Sequence, residues 1–188
     1  MRGSRRRGRG PLPAAGLAAL IFIAGAAPAG AAIGWIDEAK LGALAHDIGV
    51  GDHHVEPGVD INGELLFVPP RLFRAIGSPR PHFGVSVNTA GATSYAYGGL
   101  TWTLALGNSA FIGLGVGGAV HDGEIDGAVI ANRKRFGSRV LFHGGIELGY
   151  RVTPSVSISI LLDHMSNADL APRNSGLTNI GLRTGFRF

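Results

Sequence analysis

Residues 155–188 read SVSISILLDHMSNADLAPRNSGLTNIGLRTGFRF, two alternating segments that flank a polar loop and end on an aromatic residue. The apolar side chains of the first segment share one parity: Val156, Ile158, Ile160 and Leu162. Because residues two apart in a strand point to the same face, His164 and Ser166 continue this apolar face. A histidine and a serine at the rim of an apolar surface are unusual, and the functional hypothesis starts from them.

The same alternation recurs upstream and predicts about eight strands. Residues 139–152 give the clearest case, with Ile146 and Leu148 on one face and His143 and Glu147 on the other. For residues 36–50 a short helix is the alternative, although Gly42 favours a strand. The predicted strands cover residues 36–50, 59–68, 82–88, 94–106, 110–120 and 139–152, with two more within residues 155–188.

The polar parity indicates which side of these strands faces inward. Charged residues share it, and we expect them to pair in the centre of a narrow barrel because a lone buried charge is costly. Gly113, Gly115 and Gly117 also lie on it and would leave room for large side chains opposite. The predicted inward charges are Glu64, Glu147, Arg151, Asp163, Arg183 and Arg187.

These features predict an all-β fold, an eight-stranded antiparallel transmembrane β-barrel. No apolar run beyond the N-terminal segment is long enough for a membrane-spanning helix, and Lys40 and Lys134 are the only lysines. An apolar exterior on short alternating strands suits an outer-membrane barrel. The alternative is a soluble lipocalin-like carrier with the parities reversed, so that apolar residues line a cavity.

The first 31 residues are typical of a secretory signal peptide, which leaves residues 32–188 for the barrel. Five arginines precede an apolar stretch at residues 17–27, and two small-residue cleavage sites follow at residues 27–31. A single N-terminal membrane anchor is the alternative, but the apolar stretch is short for one.

Removing this segment changes the charge of the protein. Five of its 17 Lys and Arg residues lie there, which leaves 12 against 13 Asp and Glu. The basic balance of the whole chain is therefore no evidence for nucleic-acid binding. The chain has no cysteine, which excludes disulfides and thiolate metal sites.

His164 and Ser166 have the residue types of a nucleophilic hydrolase site. A serine hydroxyl is a weak nucleophile until a neighbouring base takes its proton, and a third group normally orients that base. Taken alone, the pair is also typical of a rim histidine beside a turn serine. The residues around it therefore decide between these two interpretations.

The surrounding residues resemble the outer-membrane lipid A 3-O-deacylase family, PagL-like enzymes with an H-x-S-N-A signature. The signature is matched by His164-Met-Ser166-Asn167-Ala168, and residues 174–188 extend the likeness. The resemblance implies an eight-stranded barrel that removes the ester-linked acyl chain at position 3 of lipid A with a Ser/His/Glu triad. It also implies no metal or organic cofactor.

Carried over residue by residue, the resemblance makes Ser166 the nucleophile, His164 the base and Asn167 a candidate oxyanion donor. The family's glutamate falls on Thr178, which shares the outward parity of His164 across the hairpin. A threonine hydroxyl can orient an imidazole but cannot stabilise its cation as a carboxylate does. We therefore expect a slower Ser/His dyad, or recruitment of Asp169, since the parity of Asp163 directs it inward.

The expected partners are lipid A or lipopolysaccharide in the outer leaflet and the membrane itself, with no nucleic acid. The expected location is the outer membrane of a Gram-negative bacterium. The sequence leaves both a monomer and a homodimer open as the oligomeric state. The main alternative in function is a non-catalytic barrel on the same scaffold that binds lipid or supports membrane integrity. The absent glutamate is its principal support.

Three other groups of polar residues have weaker functional interpretations. His53 and His54, with Asp52 and Glu56, are either a metal site or, as we favour, a solvated loop. The basic cluster of Arg133, Lys134 and Arg135, with Arg139, contacts lipid phosphates, lies in a solvated loop or makes a positioning contact. We assign His46 and Asp47 a structural role.

Overall fold

The computed structural model describes residues 34–50, 56–127 and 130–188, and eight antiparallel strands in it close into a barrel. Each strand pairs with the next, and β8 returns to pair with β1. The predicted fold is thus confirmed, and residues 36–45 form a strand rather than a helix. The strands are β1 (Ile36–Ala45), β2 (Val59–Phe67), β3 (Arg80–Asn88), β4 (Tyr95–Leu106), β5 (Ala110–His121), β6 (Val140–Arg151), β7 (Val156–Ser166) and β8 (Leu177–Arg187).

The predicted signal peptide at residues 1–31 lies outside the described residues. A short 3-10 helix, Arg71–Ile76, lies between β2 and β3, where the sequence allowed one helical turn. Within the described part of the chain, no helix is long and apolar enough to cross a membrane.

The outer face of the barrel is apolar over most of its surface. On β7 the alternation is complete: Ile158 and Ile160 are about half exposed, whereas Ser157 and Ser159 are buried. The soluble lipocalin-like alternative is therefore wrong, because its parities would be reversed. Exposed outward side chains on the other strands include Phe83, Val85, Val87, Leu104, Leu114, Val116, Phe142, Ile146, Leu148 and Leu182.

The interior holds a network of paired charges as well as a buried apolar cluster around Tyr95 and Tyr97. The guanidinium of Arg183 lies 3.3 Å from Glu64 and 2.9 Å from Glu147. The ammonium of Lys40, a member that the sequence did not single out, lies 2.5 Å from Glu147. A central charge network was predicted, but Arg151 and Arg187 lie towards the end of the barrel where β1 begins, and Arg187 lies 3.9 Å from Asp37 and Glu38 there.

Glycines on β5 make room for this network. Gly113 pairs with Glu147 across the β5–β6 ladder, and a Cβ on Gly113 would come within 3.2 Å of the Glu147 carboxylate. This contact confirms that the inward glycine parity accommodates large side chains on the opposite strand.

The two ends of the barrel differ in their connections. The described parts of the longer loops, residues 46–50, 56–58, 122–127, 130–139 and 167–176, lie at one end, the end at which β7 finishes. The opposite end has the tight turns at residues 107–109 and 152–155, and Phe188 bonds there to the backbone of Asp37. Outer-membrane barrels have short periplasmic turns and longer extracellular loops. The end with the long loops, called the outer end below, therefore faces the outside of the cell.

Candidate active site

His164 on β7 and Thr178 on β8 face each other at the outer end of the barrel. They are direct partners in the β7–β8 register, and His164 Nδ1 lies 2.8 Å from Thr178 Oγ1. His164 is exposed on the outer face, whereas Thr178 is buried beneath the loops. The structure thus places the hydroxyl of Thr178 beside the imidazole.

The chemistry of this hydrogen bond depends on which partner donates. A neutral imidazole carries its proton on one nitrogen, and a hydroxyl can either donate or accept. If Nδ1–H donates to Thr178, Nε2 is free to accept a proton; if the hydroxyl donates to Nδ1, Nε2 already carries one. A carboxylate accepts only, and would enforce the first arrangement.

Gly176 lies close to the Cε1–Nε2 edge of the His164 imidazole. A Cβ at this position would lie 2.7 Å from His164 Cε1 and 3.3 Å from Nε2, so a side chain there would displace the ring. Ser166 lies two residues after His164 on the same face and pairs in register with the exposed Phe142. His164 and Ser166 thus lie on the same face of β7 at the rim, beside an apolar surface.

Asn167 connects two outer loops in this arrangement. Its side-chain amide donates to the carbonyl of Phe136 at 2.7 Å and to that of Arg173 at 2.5 Å. Its backbone N–H donates to the side chain of Asn174 at 3.0 Å. Both groups that could serve as oxyanion donors are therefore engaged within the protein, and the residue is buried.

Neither nearby aspartate contacts His164. Asp169 accepts a hydrogen bond from Asn174 at 2.9 Å within the loop. Asp163 points into the barrel, as its parity predicted, and accepts from the Tyr95 hydroxyl at 2.5 Å. The group observed at Nδ1 of the histidine is the neutral hydroxyl of Thr178, rather than the carboxylate of Asp169.

A buried polar cluster lies beneath the outer loops, beside this site. His46 Nε2 is 3.2 Å from Glu56, and Nδ1 is 2.8 Å from Asp60. Burial opposes the charged imidazole, but the carboxylates of Asp60 and Glu56 outweigh it and raise the pKa of His46 to about 9. His46 therefore has the structural role that we predicted.

Glu56 is the centre of this buried cluster. Burial opposes its ionisation, but bonds from His46 and from the backbone N–H groups of Lys134 and Thr93 lower the pKa of Glu56 to about 2. These contacts join the β1–β2, β3–β4 and β5–β6 loops into one unit.

Lys134 links the buried cluster to the candidate site, a role that the sequence did not reveal. Its ammonium is fully buried, 3.0 Å from Asp47, and donates to the Gly176 carbonyl at 2.6 Å. Of the three interpretations of the basic cluster, contact with lipid phosphates and a solvated loop do not hold for this residue, whereas its contacts with Asp47 and Gly176 suit a positioning role. A lysine flanked by arginines in a polar loop carries no sequence signal of burial.

The neighbouring arginines of the same loop are partly exposed and bond to loop carbonyls. Arg133 donates to Gly91 at 2.7 Å, Arg135 to Gly127 at 3.2 Å and Arg139 to His121 at 2.8 Å. These contacts position the outer loops.

No group of side chains suited to a metal ion occurs in residues 34–50, 56–127 and 130–188. His53 and His54, the metal candidates from the sequence, lie outside the described residues. Glu56, their nearest described companion, is committed to His46 and to backbone donors.

Comparison with known proteins identifies the family of this chain. The sequence pattern of the family described as "Lipid A 3-O-deacylase (PagL)" matches residues 75–187, which include every residue of the candidate site. The chain belongs to the lipid A 3-O-deacylase family. That membership and the barrel fold indicate the outer membrane of a Gram-negative bacterium.

Two solved structures are similar to this lipid A 3-O-deacylase family member to different degrees. The crystal structure of the outer-membrane enzyme PagL superposes with a TM-score of 0.56 at 19% identity, covering 81% of this chain and 99% of that one. The Yersinia pestis outer-membrane protein Ail in a nanodisc gives a TM-score of 0.47 at 11% identity, covering 82% and 99%. No curated protein sequence matches the chain.

Proposed function

We propose that this protein hydrolyses the ester that links an acyl chain to position 3 of lipid A. Ser166 attacks the ester carbonyl, while His164 takes the serine proton and returns it to the departing sugar hydroxyl. Water then hydrolyses the acyl ester formed on Ser166 and releases the fatty acid. Neither step calls for a metal or an organic cofactor.

The observation that carries this proposal is the 2.8 Å contact between His164 Nδ1 and Thr178 Oγ1 on the lipid-facing side of the barrel. It engages one nitrogen of the imidazole and leaves the other on the edge beside Gly176. A histidine held in this way can act as a general base when Nδ1 carries the proton. Thr178 thus acts as the orienting member of the site, without the charge that a carboxylate would add.

We assign the oxyanion to the backbone N–H of Asn167. It directly follows the nucleophile, a position from which a backbone donor commonly stabilises the tetrahedral intermediate. The side chain of Asn174 accepts this N–H in the structure, and the oxyanion would replace that acceptor when substrate binds. The Asn167 side chain keeps its two carbonyl acceptors and holds the loop in place.

The position of the site suits a substrate that is itself a membrane component. The apolar side chains of Phe142, Leu162 and Ile180 are exposed on the outward surface near His164 and can contact an acyl chain. Polar residues on a lipid-facing surface cost free energy, so their presence there indicates a function. At the outer rim they can meet the ester without extracting lipid A from the leaflet.

A second candidate function is lipid binding by a catalytically inactive barrel. The specific observation in its favour is Thr178, because a neutral hydroxyl neither enforces the productive tautomer nor stabilises the imidazolium. The two candidates make opposite predictions for turnover but the same prediction for lipid A binding.

Release of 3-hydroxy fatty acid from lipid A by the purified protein in detergent micelles tests the proposal. We expect wild-type protein to release the acyl chain from position 3, as detected by mass spectrometry, and His164→Ala to release none. His143→Gln is the matched control, since His143 is buried inside the barrel beside Asp163. Binding of lipid A without any release by folded wild-type protein would favour the inactive barrel.

A further inference from the structure

The 3-10 segment Arg71–Ile76 exposes apolar side chains at the end of the barrel opposite the active site. Leu72 is 82% exposed and Ile76 is 52% exposed, and none of the six residues is buried. Leu72 is the most exposed large apolar side chain among the described residues. Such exposure on an ordered turn marks a surface that meets something apolar.

The segment is held in a defined conformation by its own backbone. Phe73 N–H donates to Pro70, Gly77 N–H to Arg74 and Ser78 N–H to Phe73, at 2.9, 3.3 and 2.8 Å. Gly77 adopts the left-handed conformation that ends the turn, with φ of 88°. The exposed side chains are thus presented by a fixed turn.

Trp102 ties the segment to the lipid-facing surface of the barrel. Its indole N–H donates to the Ile76 carbonyl at 2.8 Å, and Trp102 shares the outward parity of Leu104, which is 64% exposed. Trp35 and Phe67, stacked with ring centroids 5.2 Å apart, lie at the same end. The segment is therefore continuous with the apolar belt and its aromatic edge, where tryptophan is enriched in barrels.

The charges of the segment are of one sign. Arg71 and Arg74 are three residues apart, so they share one face of a 3-10 helix, and both are exposed. Residues 68–79 contain no acidic residue. Arginine matches the planar geometry of phosphate oxygens, and basic residues beside a membrane attract anionic headgroups.

We propose that Arg71–Ile76 is a membrane-surface anchor that binds the inner, phospholipid leaflet of the outer membrane. Leu72 and Ile76 enter the boundary between headgroups and acyl chains, while Arg71 and Arg74 contact the phosphates of anionic phospholipids. The anchor fixes the depth of the barrel from the side opposite the active site. This inference does not depend on the proposed deacylase activity.

Site-directed spin labelling of the full chain in vesicles tests the anchor. Because the chain has no cysteine, Leu72→Cys carries a single label, and Asn108→Cys, in the tight turn at the same end, is the matched control. In phosphatidylcholine vesicles with about 30% phosphatidylglycerol, the label at 72 should be accessible to oxygen and shielded from an aqueous nickel chelate. The label at 108 should show the reverse.

A second measurement tests the arginines. Fluorophore-labelled Leu72→Cys should be quenched by spin-labelled phosphatidylglycerol at least about fivefold more effectively than by spin-labelled phosphatidylcholine, since one basic residue at a lipid surface provides about that factor and the segment has two. The added changes Arg71→Gln and Arg74→Gln should remove this preference.

Three results would overturn the anchor. The first is a label at 72 that is as open to nickel as the label at 108, and the second is a lipid preference that survives loss of both arginines. The third is shielding that grows with the ratio of protein to lipid, which would instead indicate contact with a second copy of the chain.

Discussion

Inside the barrel, Arg183 lies between two carboxylates, 3.3 Å from Glu64 and 2.9 Å from Glu147, whereas on the outer face His164 meets only the hydroxyl of Thr178. The inner cluster is buried and its opposite charges are paired. The outer cluster is polar on an apolar surface and lacks a charged partner for its histidine. The inner arrangement is typical of a structural network, and the outer one suits the proposed reactive site.

The largest expected effect comes from removing the proposed nucleophile of the outer cluster. Ser166→Ala should lower the rate of lipid A deacylation by about 10⁴-fold or more, because the loss of a nucleophile removes the covalent route. The barrel should remain as stable as wild type. Ser159→Ala, on the same strand but inside the barrel, should leave the rate unchanged, although it removes a 2.5 Å bond to Glu147. Equal rates for Ser166→Ala and wild type would refute the assignment.

The next effect breaks the inner cluster. Arg183→Met should lower the free energy of unfolding by about 3–5 kcal/mol, because it leaves two buried carboxylates with only Lys40 as a counter-charge. His164→Ala, on the outer face, should change it by about 0.5 kcal/mol or less. Urea unfolding in lipid vesicles measures both values. Similar losses in the two variants would contradict the division between a structural interior and a functional exterior.

Thr178→Glu would make the outer cluster more like the inner one by giving His164 a charged partner. We expect the rate of deacylation to rise about 10- to 100-fold, since a carboxylate fixes the Nδ1–H tautomer and stabilises the imidazolium. Thr178→Gln has the same size without the charge and should give no such rise. A rise of equal size in both variants would show that side-chain length, not charge, limits the site.

The smallest effect concerns the buried cluster of His46 and Glu56. The pKa of His46 is raised from 6.5 to about 9, so its stabilising contribution is complete below pH 6.5 and is lost as pH rises through 9. The pKa of Glu56 is lowered from 4.5 to about 2, so its contribution is complete above pH 4.5 and is lost as pH falls through 2. Stability should therefore be highest between pH 4.5 and 6.5.

Urea midpoints as a function of pH test this window, with His46→Gln as the variant. In wild type the midpoint should fall between pH 6.5 and 9, and in His46→Gln that fall should become smaller. An unchanged alkaline fall in the variant would assign it to another group.

The strands could be predicted from the sequence because each alternates apolar and polar residues with a period of two, and the parity of His164 and Thr178 followed from it. The hydrogen bond between these two side chains could be predicted for the same reason. The burial of Lys134 was not, because its partners Asp47 and Gly176 are 87 and 42 residues away and no local pattern records such contacts. The engagement of Asn167 by Phe136 and Arg173 depends on loop packing in the same way.

Mass spectrometry of lipid A from a Gram-negative host that expresses this protein tests the central claim most directly. Cells with wild-type protein should contain lipid A that lacks the acyl chain at position 3, and cells with Ser166→Ala at the same outer-membrane level should contain intact lipid A. Intact lipid A in both, with both proteins folded in the outer membrane, would contradict the claim that this lipid-facing serine and histidine form an esterase.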